Sequence, residues 1–469
     1  QSAGGAQEHA SHLRPASENP RLDTVRAEDL RRQFQALSSG DRSQIVRSDD
    51  LISRALAEMT SQERERVYSD IHGVQASIEE TPELTKAALT DMQNKLMVLK
   101  MGSPSFLLAE STNYKFVHNR DKYLEFLRIE DFDVRAAAVR MIKYYEFKRD
   151  FFGESALCRQ LTLEDLTNEE MKVNRKGRVQ WMPVRDRANR PISVYFLDKE
   201  FCSKSITVDD QETAKRGQVH IFFNTVEGFS VGMSDMFGWL RSKEAMPFKL
   251  ACVHYVLLGD NHAQVFGAME MYMGLLGKEM RAKVKIHRGS YQEIMYSLMT
   301  YGIPTDHIPL NENGVLKTKG HLEFVNVLAA RDRLRLHGRE PILVPLNTDI
   351  LSGKGKPFQL HVGNQMMKHL VEEVLQEYNE VDKSGKTRII QGVVQTLKQT
   401  KGCRFLSKDS GAWLEVGDDV ATAKVSQLFR ARREVSKNTK VEKRDRRGHS
   451  VLTQSDGKRA RTGTPDNIE

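Results

Sequence analysis

Apolar residues recur every three to four positions in the first third of the chain, and this spacing predicts amphipathic helices. A helical region is predicted over residues 51–118, after a flexible N-terminus at residues 1–50. Gly102 and Pro104 are interpreted as the signal that ends its second helix. Two further helices are predicted over residues 119–152, with Asp133 as the N-cap of the second. The clearest apolar sets are Leu51, Ile52, Ala55, Leu56 and Met59, and Leu84, Ala88, Met92, Leu96 and Leu99.

After Gly177 the pattern changes to short apolar and β-branched runs bounded by Gly, Pro and Asn, which are typical of strands. Five strands are predicted at residues 179–184, 192–197, 219–223, 249–258 and 284–287. Helices are predicted between the later strands at 230–244 and 262–277, and after them at 291–301 and 322–335. The alternation of strand and helix predicts an α/β domain over residues 153–337, whose parallel strands are covered by helices.

A second folded block is predicted over residues 349–433, after a linker at residues 338–348 that contains two prolines. Helices are predicted at 365–378, 388–401 and 418–433. Residues 404–406 and 412–416 are predicted to pair as a hairpin across Asp409, Ser410 and Gly411. This pattern indicates a small α+β domain.

The net charge of +8 is concentrated at the C-terminus. Between Leu428 and Arg461 there are twelve Lys or Arg and four Asp or Glu, a difference of 12 − 4 = +8. Residues 434–469 are therefore predicted to be a disordered basic tail, because they hold too few apolar side chains to offset the entropy of ordering. Such a tail could direct the protein to the nucleus, or bind nucleic acid or an anionic membrane surface.

Several protein classes are disfavoured. No run of eighteen apolar residues is present, and the segment from Gln1 to Pro20 has no apolar core of a secretory signal, so we expect a soluble, non-secreted protein in the cytoplasm, the nucleus or both. The four cysteines are widely separated, which predicts reduced thiols and no structural metal. No cofactor is expected.

The sequence also lacks positive evidence for an enzyme. No nucleophile elbow or zinc-binding helix is found. Gly385, Lys386 and Thr387 match the end of a phosphate loop, but Glu380 stands where its first Gly is needed, so a polar turn between helices is the preferred interpretation. His220 and His254 lie in apolar strands and are interpreted as core histidines.

The segment VFGAMEMYMGLL, residues 265–276, is apolar on nearly every face of a helix. Two interpretations remain open. It could be an ordinary buried helix, or one of its faces could close over an apolar ligand, for which Met269, Met271 and Met273 would form an adaptable lining.

The order of the segments FLRIEDFDVRAA, HIFFNTVEGFS, MPFKLACVHYV and AKVKIHRGSYQEI resembles the CRAL-TRIO, or Sec14-like, lipid-binding family over residues 119–314. The resemblance implies an α/β sandwich with an N-terminal helical subdomain at 119–152 and a hydrophobic slot closed by a movable helix at about 264–277. Of three polar positions found in phosphatidylinositol-binding members, only Lys283 matches. The others hold Glu130 and Phe248, so we expect an apolar ligand. The ligand-binding residues expected are Tyr195, Phe222, Tyr255, Phe266, Met269, Met273, Leu276, Lys283 and Tyr291.

The block at 349–433 resembles an uncharacterised domain that recurs in algal proteins. Its basic residues, with the aromatics Phe358, Phe405 and Trp413, suggest a nucleic-acid surface or, alternatively, solvated charges around core aromatics. The candidate contacts are Lys354, Lys356, Arg404, Arg430, Arg432 and Arg433. Two hypotheses follow: a lipid-binding, lipid-transfer or lipid-sensing protein, and a nuclear nucleic-acid-binding or regulatory protein.

Overall fold

Helices dominate the part of the chain that precedes the first strand. The computed structural model describes residues 48–74, 78–197, 210–224, 242–258, 273–274 and 276–434. The described helices of this part are α1 (Ser48–Ala57), α2 (Ser61–His72), α3 (Pro82–Leu99), α4 (Pro104–Thr112), α5 (Tyr114–Val117), α6 (Arg120–Ile129), α7 (Val134–Phe152) and α8 (Asn168–Arg175).

Side-chain caps explain where several of these helices begin. Thr60 and Glu63 form a reciprocal capping box at the start of α2, and Thr81 accepts a hydrogen bond from the Leu84 amide before α3. As predicted, Asp133 caps α7 by accepting a hydrogen bond from the amide of Ala136 at 2.9 Å. Helices α3, α4, α6 and α7 then bury one shared core of aliphatic and aromatic side chains.

The predicted strands are confirmed to within two residues at each end. They are β1 (Val179–Arg185), β2 (Pro191–Phe196), β3 (Gln218–Asn224), β4 (Leu250–Leu258) and β5 (Val284–Gly289), in the order β1-β2-β3-β4-β5. Strands β2 to β5 are parallel, and β1 pairs antiparallel with β2. The chain is thus a mixed α/β protein in this region, in agreement with the predicted class.

The helices that accompany the sheet are α9 (Gln211–Arg216), α10 (Lys278–Ala282), α11 (Tyr291–Thr300) and α12 (Lys319–Leu336). The helix predicted at 291–301 corresponds to α11. Those predicted at 230–244 and 262–277 lie mostly outside the described residues, and so do the predicted flexible N-terminus and the predicted disordered basic tail. Among the residues described, no helix has both the length and the apolar character to cross a membrane.

The chain divides between Arg333 and Leu334 into an N-terminal unit and a C-terminal unit. The C-terminal unit contains β6 (Ile350–Leu351), α13 (Lys356–Leu360), α14 (Val362–Glu373), α15 (Leu375–Glu380), α16 (Lys383–Gln395), β7 (Phe405–Asp409), β8 (Ala412–Glu415) and α17 (residues 418–434). Strand β6 pairs parallel with β7, which pairs antiparallel with β8. This is the expected small α+β arrangement.

The predicted hairpin is confirmed, and its turn has a local explanation. Ser410 and Gly411 both have positive φ, 52° and 94°, which is the conformation of a two-residue type I′ turn. The segment predicted as a linker is part of the C-terminal unit. Val344 and Leu346 are buried, and Ile342 forms a β-bridge with Trp413.

Candidate functional site

The register of the sheet aligns three of the predicted ligand-binding residues. Tyr195 on β2 pairs with Phe222 on β3, and Phe222 pairs with Tyr255 on β4. In-register residues on neighbouring strands point to the same face, so these three side chains form one line, which we call the aromatic row. Val179 on β1 and Ile286 on β5 extend the line to both edges of the sheet.

The rings of the aromatic row lie almost parallel. The centroids of Tyr195 and Phe222 are 4.5 Å apart at an interplanar angle of 14°, and those of Phe222 and Tyr255 are 5.0 Å apart at 18°. The remaining buried members of this cluster are aliphatic or Met: Leu197, Leu250, Val253, Leu257, Met273, Leu276 and Val284. The face of the sheet that carries the aromatic row is therefore mostly apolar, with Ser193 and His220 as polar residues on the same face.

Burial keeps the titratable groups on this face uncharged at neutral pH. Burial raises the pKa of Tyr195 to about 12, against an opposing hydrogen bond with Ser193. His220, whose ring centroid lies 5.1 Å from that of Tyr195, has its pKa lowered to about 3 by burial and then by the charge of Lys243. The aromatic face consequently presents neutral surface, which suits a hydrocarbon.

The structure brings together five of the nine residues predicted to bind a ligand. Tyr195, Phe222, Tyr255, Met273 and Leu276 belong to one cluster. The predictions for Phe266 and Met269 lie outside the described residues, whereas Lys283 and Tyr291 are placed elsewhere.

Lys283 lies in a buried ion network. Its Nζ is 2.9 Å from Oδ2 of Asp70 and 2.8 Å from Oε1 of Glu279, and Lys249 lies 3.2 Å from the other oxygen of Asp70. Burial opposes the charged form of Lys283, but Asp70 and Glu279 outweigh it and raise its pKa. The two lysines lower the pKa of Asp70 against the effect of its burial. The sequence of α2 contains no motif that would have predicted this role of Asp70.

The two other positions of the family comparison do not form an anion site either. Glu130 is ion-paired with Arg140, and Phe248 is buried with its ring 5.7 Å from that of His220. Because Lys283 is ion-paired with Asp70 and Glu279, none of these three positions provides an unpaired cation for an anionic headgroup.

Tyr291 lies on the opposite face of the sheet. It packs beside the cluster that α11 covers, and its hydroxyl donates a hydrogen bond to the carbonyl of Leu310 at 3.2 Å. The strands are buried on both faces, so residue type alone could not separate this face from the aromatic one.

The opposite face also contains a chain of buried polar groups. Nδ1 of His254 and Nε2 of His287 are hydrogen-bonded at 2.8 Å, and Nδ1 of His287 is hydrogen-bonded to Oγ of Ser297 at 2.8 Å. The interpretation of His254 as a satisfied core histidine is confirmed. Burial, followed by the charge of Lys285, lowers the pKa of His287 from 6.5 to about 4.

We expect this pair to make the N-terminal unit less stable in weak acid. A histidine whose pKa is lower when folded binds protons more readily in the unfolded chain, so its contribution is complete above pH 6.5 and is lost as pH falls toward 4. For His287 alone the loss between pH 7 and pH 5 is about 2 kcal/mol. Urea unfolding at the two pH values measures it. His287→Gln should reduce the difference in unfolding free energy between the two pH values, whereas His307→Gln, at an exposed histidine, should not. Equal differences in the two variants would contradict the assignment of the loss to His287.

In the C-terminal unit, two of the six candidate nucleic-acid contacts are held by carboxylates. Arg404 donates from Nε and Nη2 to Asp349 at 2.9 and 2.8 Å, and Asp349 is fully buried. Arg432 lies 2.5 Å from Glu372. The other four, Lys354, Lys356, Arg430 and Arg433, have no carboxylate partner among the described residues. Of the aromatics suggested with them, Phe405 and Trp413 are core side chains.

The residues Gly385, Lys386 and Thr387 form the first turn of α16. The carboxylate of Asp382 accepts a hydrogen bond from the Gly385 amide at 2.7 Å and so occupies the position that a phosphate would need. The predicted turn between helices is corrected here, because these residues lie inside α16; their amides at the capped helix start do not form a phosphate loop. Within the described ranges, no group of three or more His, Cys, Asp or Glu is arranged to hold a metal ion.

Two comparisons with known proteins complete the description. Residues 349–431 match a family described as a domain of unknown function, DUF6824. No curated protein matches the chain. The match begins at Asp349, just before β6, and ends within α17.

Proposed function

We propose that the N-terminal unit binds an apolar molecule, such as a lipid, against the aromatic face of its sheet. The observation that carries the proposal is the aromatic row, three stacked rings in register on three neighbouring strands. The sheet order and the helices before it agree with a CRAL-TRIO-like sandwich. In that arrangement the apolar segment at about 264–277 would close the slot, and shielding the ligand would serve its transfer or its sensing.

The chemistry of this face favours a ligand without a charged group. Burial of apolar surface stabilises by roughly 25 cal/mol per Å², whereas burial of an unpaired charge is strongly unfavourable. Tyr195 and His220 are neutral at pH 7, and Lys283 is already paired with Asp70 and Glu279. A hydrocarbon, prenyl or acyl chain fits these conditions better than an inositol phospholipid does.

The direct test is to identify what the protein carries. The purified full-length chain is extracted with organic solvent, and a parallel sample is measured by native mass spectrometry. We expect one bound apolar molecule per chain and a higher melting temperature when that molecule is added back. A chain that carries no lipid, and that no added lipid stabilises, would contradict the proposal.

A pair of neighbouring phenylalanines separates ligand binding from stability. Phe222 lies in the aromatic row, and Phe223 points to the opposite face of the same strand. We expect Phe222→Leu to weaken binding of the extracted molecule by about five- to tenfold, because roughly 1 kcal/mol of apolar contact is lost. Phe223→Leu removes the same atoms from the α11 side and should leave the affinity unchanged. Equal losses of affinity in the two variants would place the ligand elsewhere.

A further inference from the structure

Four lysines surround one segment of the C-terminal unit, the connection after β6 together with most of the short helix α13 (residues 352–359), which we call the lysine loop. Lys354 and Lys356 are exposed on the loop itself. Lys424 on α17 donates to the carbonyl of Leu351 at 3.2 Å, and Lys368 on α14 donates to the carbonyl of Gln359 at 3.2 Å. These two partners are main-chain carbonyls, which do not neutralise the charge of a lysine.

Five carboxylates of the C-terminal unit are ion-paired with other cations of the described residues. Within residues 334–434, no carboxylate is ion-paired with any of the four lysines. The ion pairs of this unit are Arg404 with Asp349, Arg432 with Glu372, Arg339 with Asp409, Lys398 with Asp418 and Arg335 with Glu340. The lysine loop therefore carries uncompensated positive charge, the condition for binding a polyanion.

The loop is held in one conformation by α14. Asn364 is buried; its Oδ1 accepts from the Leu351 amide at 2.9 Å, and its Nδ2 donates to the carbonyls of Leu351 and Phe358 at 3.0 and 2.7 Å. A Cβ on the preceding Gly363 would lie 2.1 Å from the carbonyl oxygen of Asp349, so only glycine allows this contact. A fixed loop loses little conformational freedom on binding, which favours contacts at a defined spacing.

Beside the lysine loop, the solvent-facing side of α14 carries both polar and apolar side chains. Gly363, Asn364, Met367 and Val371 are its buried residues. At 100° per residue Val362, Gln365 and His369 fall on the opposite side, and Val362 is 55% exposed. Amide and imidazole groups can hydrogen-bond to base edges, and an aliphatic side chain can contact the thymine methyl group.

We propose that this surface binds double-stranded DNA, with the outer face of α14 in the major groove and the lysine loop on the adjacent phosphates. The loop lysines supply charge that positions the protein, and α14 supplies the groups that contact bases. Helix α17, which carries Lys424, overlaps the segment from Leu428 to Arg461, where Lys and Arg outnumber acids twelve to four. That segment adds binding without sequence preference. The proposal is independent of the apolar ligand proposed for the N-terminal unit.

The test measures fluorescence anisotropy of a short labelled DNA duplex with the full-length chain, from about 50 to 200 mM salt. Lys354→Ala/Lys356→Ala should weaken binding and reduce the slope of log affinity against log salt by about two, one for each phosphate contact. The matched control is Lys383→Ala/Arg388→Ala, two exposed cations on α16. Val362→Glu places a negative charge in the groove and should weaken binding at every salt concentration, whereas Thr387→Glu, on an exposed position of α16, should not.

One further duplex and one membrane surface distinguish this proposal from the alternatives. An RNA duplex of the same sequence should bind more weakly than DNA, because the major groove of A-form RNA is too narrow for a helix. Equal behaviour of the loop variant and its α16 control would show that the tail alone binds, and would overturn the proposal. If the Lys354→Ala/Lys356→Ala variant lost binding to phosphatidylserine vesicles but kept its DNA affinity, the proposal would be overturned as well, since the lysine loop would then bind membranes.

Discussion

Exchange of Arg404 for methionine is expected to lower the unfolding free energy of the C-terminal unit by about 3–5 kcal/mol, because it leaves a buried carboxylate without its cation. Asp349 is fully buried, and its two oxygens receive both hydrogen bonds of the Arg404 guanidinium. The amide of Leu346 also donates to Asp349, at 2.7 Å, but a neutral donor does not replace the cation that a buried carboxylate needs.

Hydrogen exchange of peptides from residues 349–431, measured across a urea series, reports the stability of this unit within the full chain. The control is Arg430→Met, since Arg430 is exposed and its contact is the hydroxyl of Ser426. Asp349→Leu combined with Arg404→Met should recover part of the loss, because no unpaired charge remains. If Arg404→Met kept full stability but lost DNA affinity, Arg404 would be a nucleic-acid contact, as its sequence alone suggests.

Arg404 also shows why the sequence alone does not reveal which basic residues are paired with carboxylates. The sequence does not distinguish an exposed arginine from one in an ion pair, and the carboxylate that pairs with Arg404 lies 55 residues earlier in the chain. The same holds for Lys283, whose partner Asp70 is contributed by the polar helix α2. Long-range ion pairs of this kind have no local signature, so family motifs and charge counts assign such residues to ligands too readily.

The strands could be predicted because each is a short apolar run bounded by turn residues. What could not be predicted is which side chains share a face. Strand β3 is buried along its whole length, so no alternation of polar and apolar positions separates Phe222 from Phe223. The aromatic row emerged only from the register between strands. Tyr291, in contrast, was assigned to the ligand from the order of segments alone, and α11 carries it to the other side.

One sequence signal serves two helices at the end of α3. Gly102 and Pro104 do follow the end of α3, as predicted, but Pro104 is also the first residue of α4, with Ser103 as its N-cap. Proline fits the first turn of a helix because the amide it lacks would have no partner there. The predicted helical region over residues 51–118 therefore continues beyond this signal, through two short helices that bury Phe106 and Val117.

The junction between α2 and the sheet should be the most sensitive point of the N-terminal unit. Arg190, in the turn between β1 and β2, is buried and donates from Nε to Asp186 at 2.7 Å. Its Nη atoms donate to the carbonyls of Asp70 and Ile71, the latter at 3.0 Å, near the C-terminal end of α2. We expect Arg190→Met to cost about 3–5 kcal/mol of unfolding free energy, because Asp186 loses its cation and two helix carbonyls lose their donors.

The effect should be local as well as large, because Arg190 connects α2 to the sheet on the side where Asp70 bridges Lys249 and Lys283. Hydrogen exchange should therefore rise first in residues 61–74, before the strands exchange. Arg187→Met, an exposed arginine in the same turn, is the matched control and should leave exchange unchanged. If Arg190→Met destabilised the strands without releasing α2, the carbonyl contacts would be incidental and the Asp186 pair alone would account for the loss.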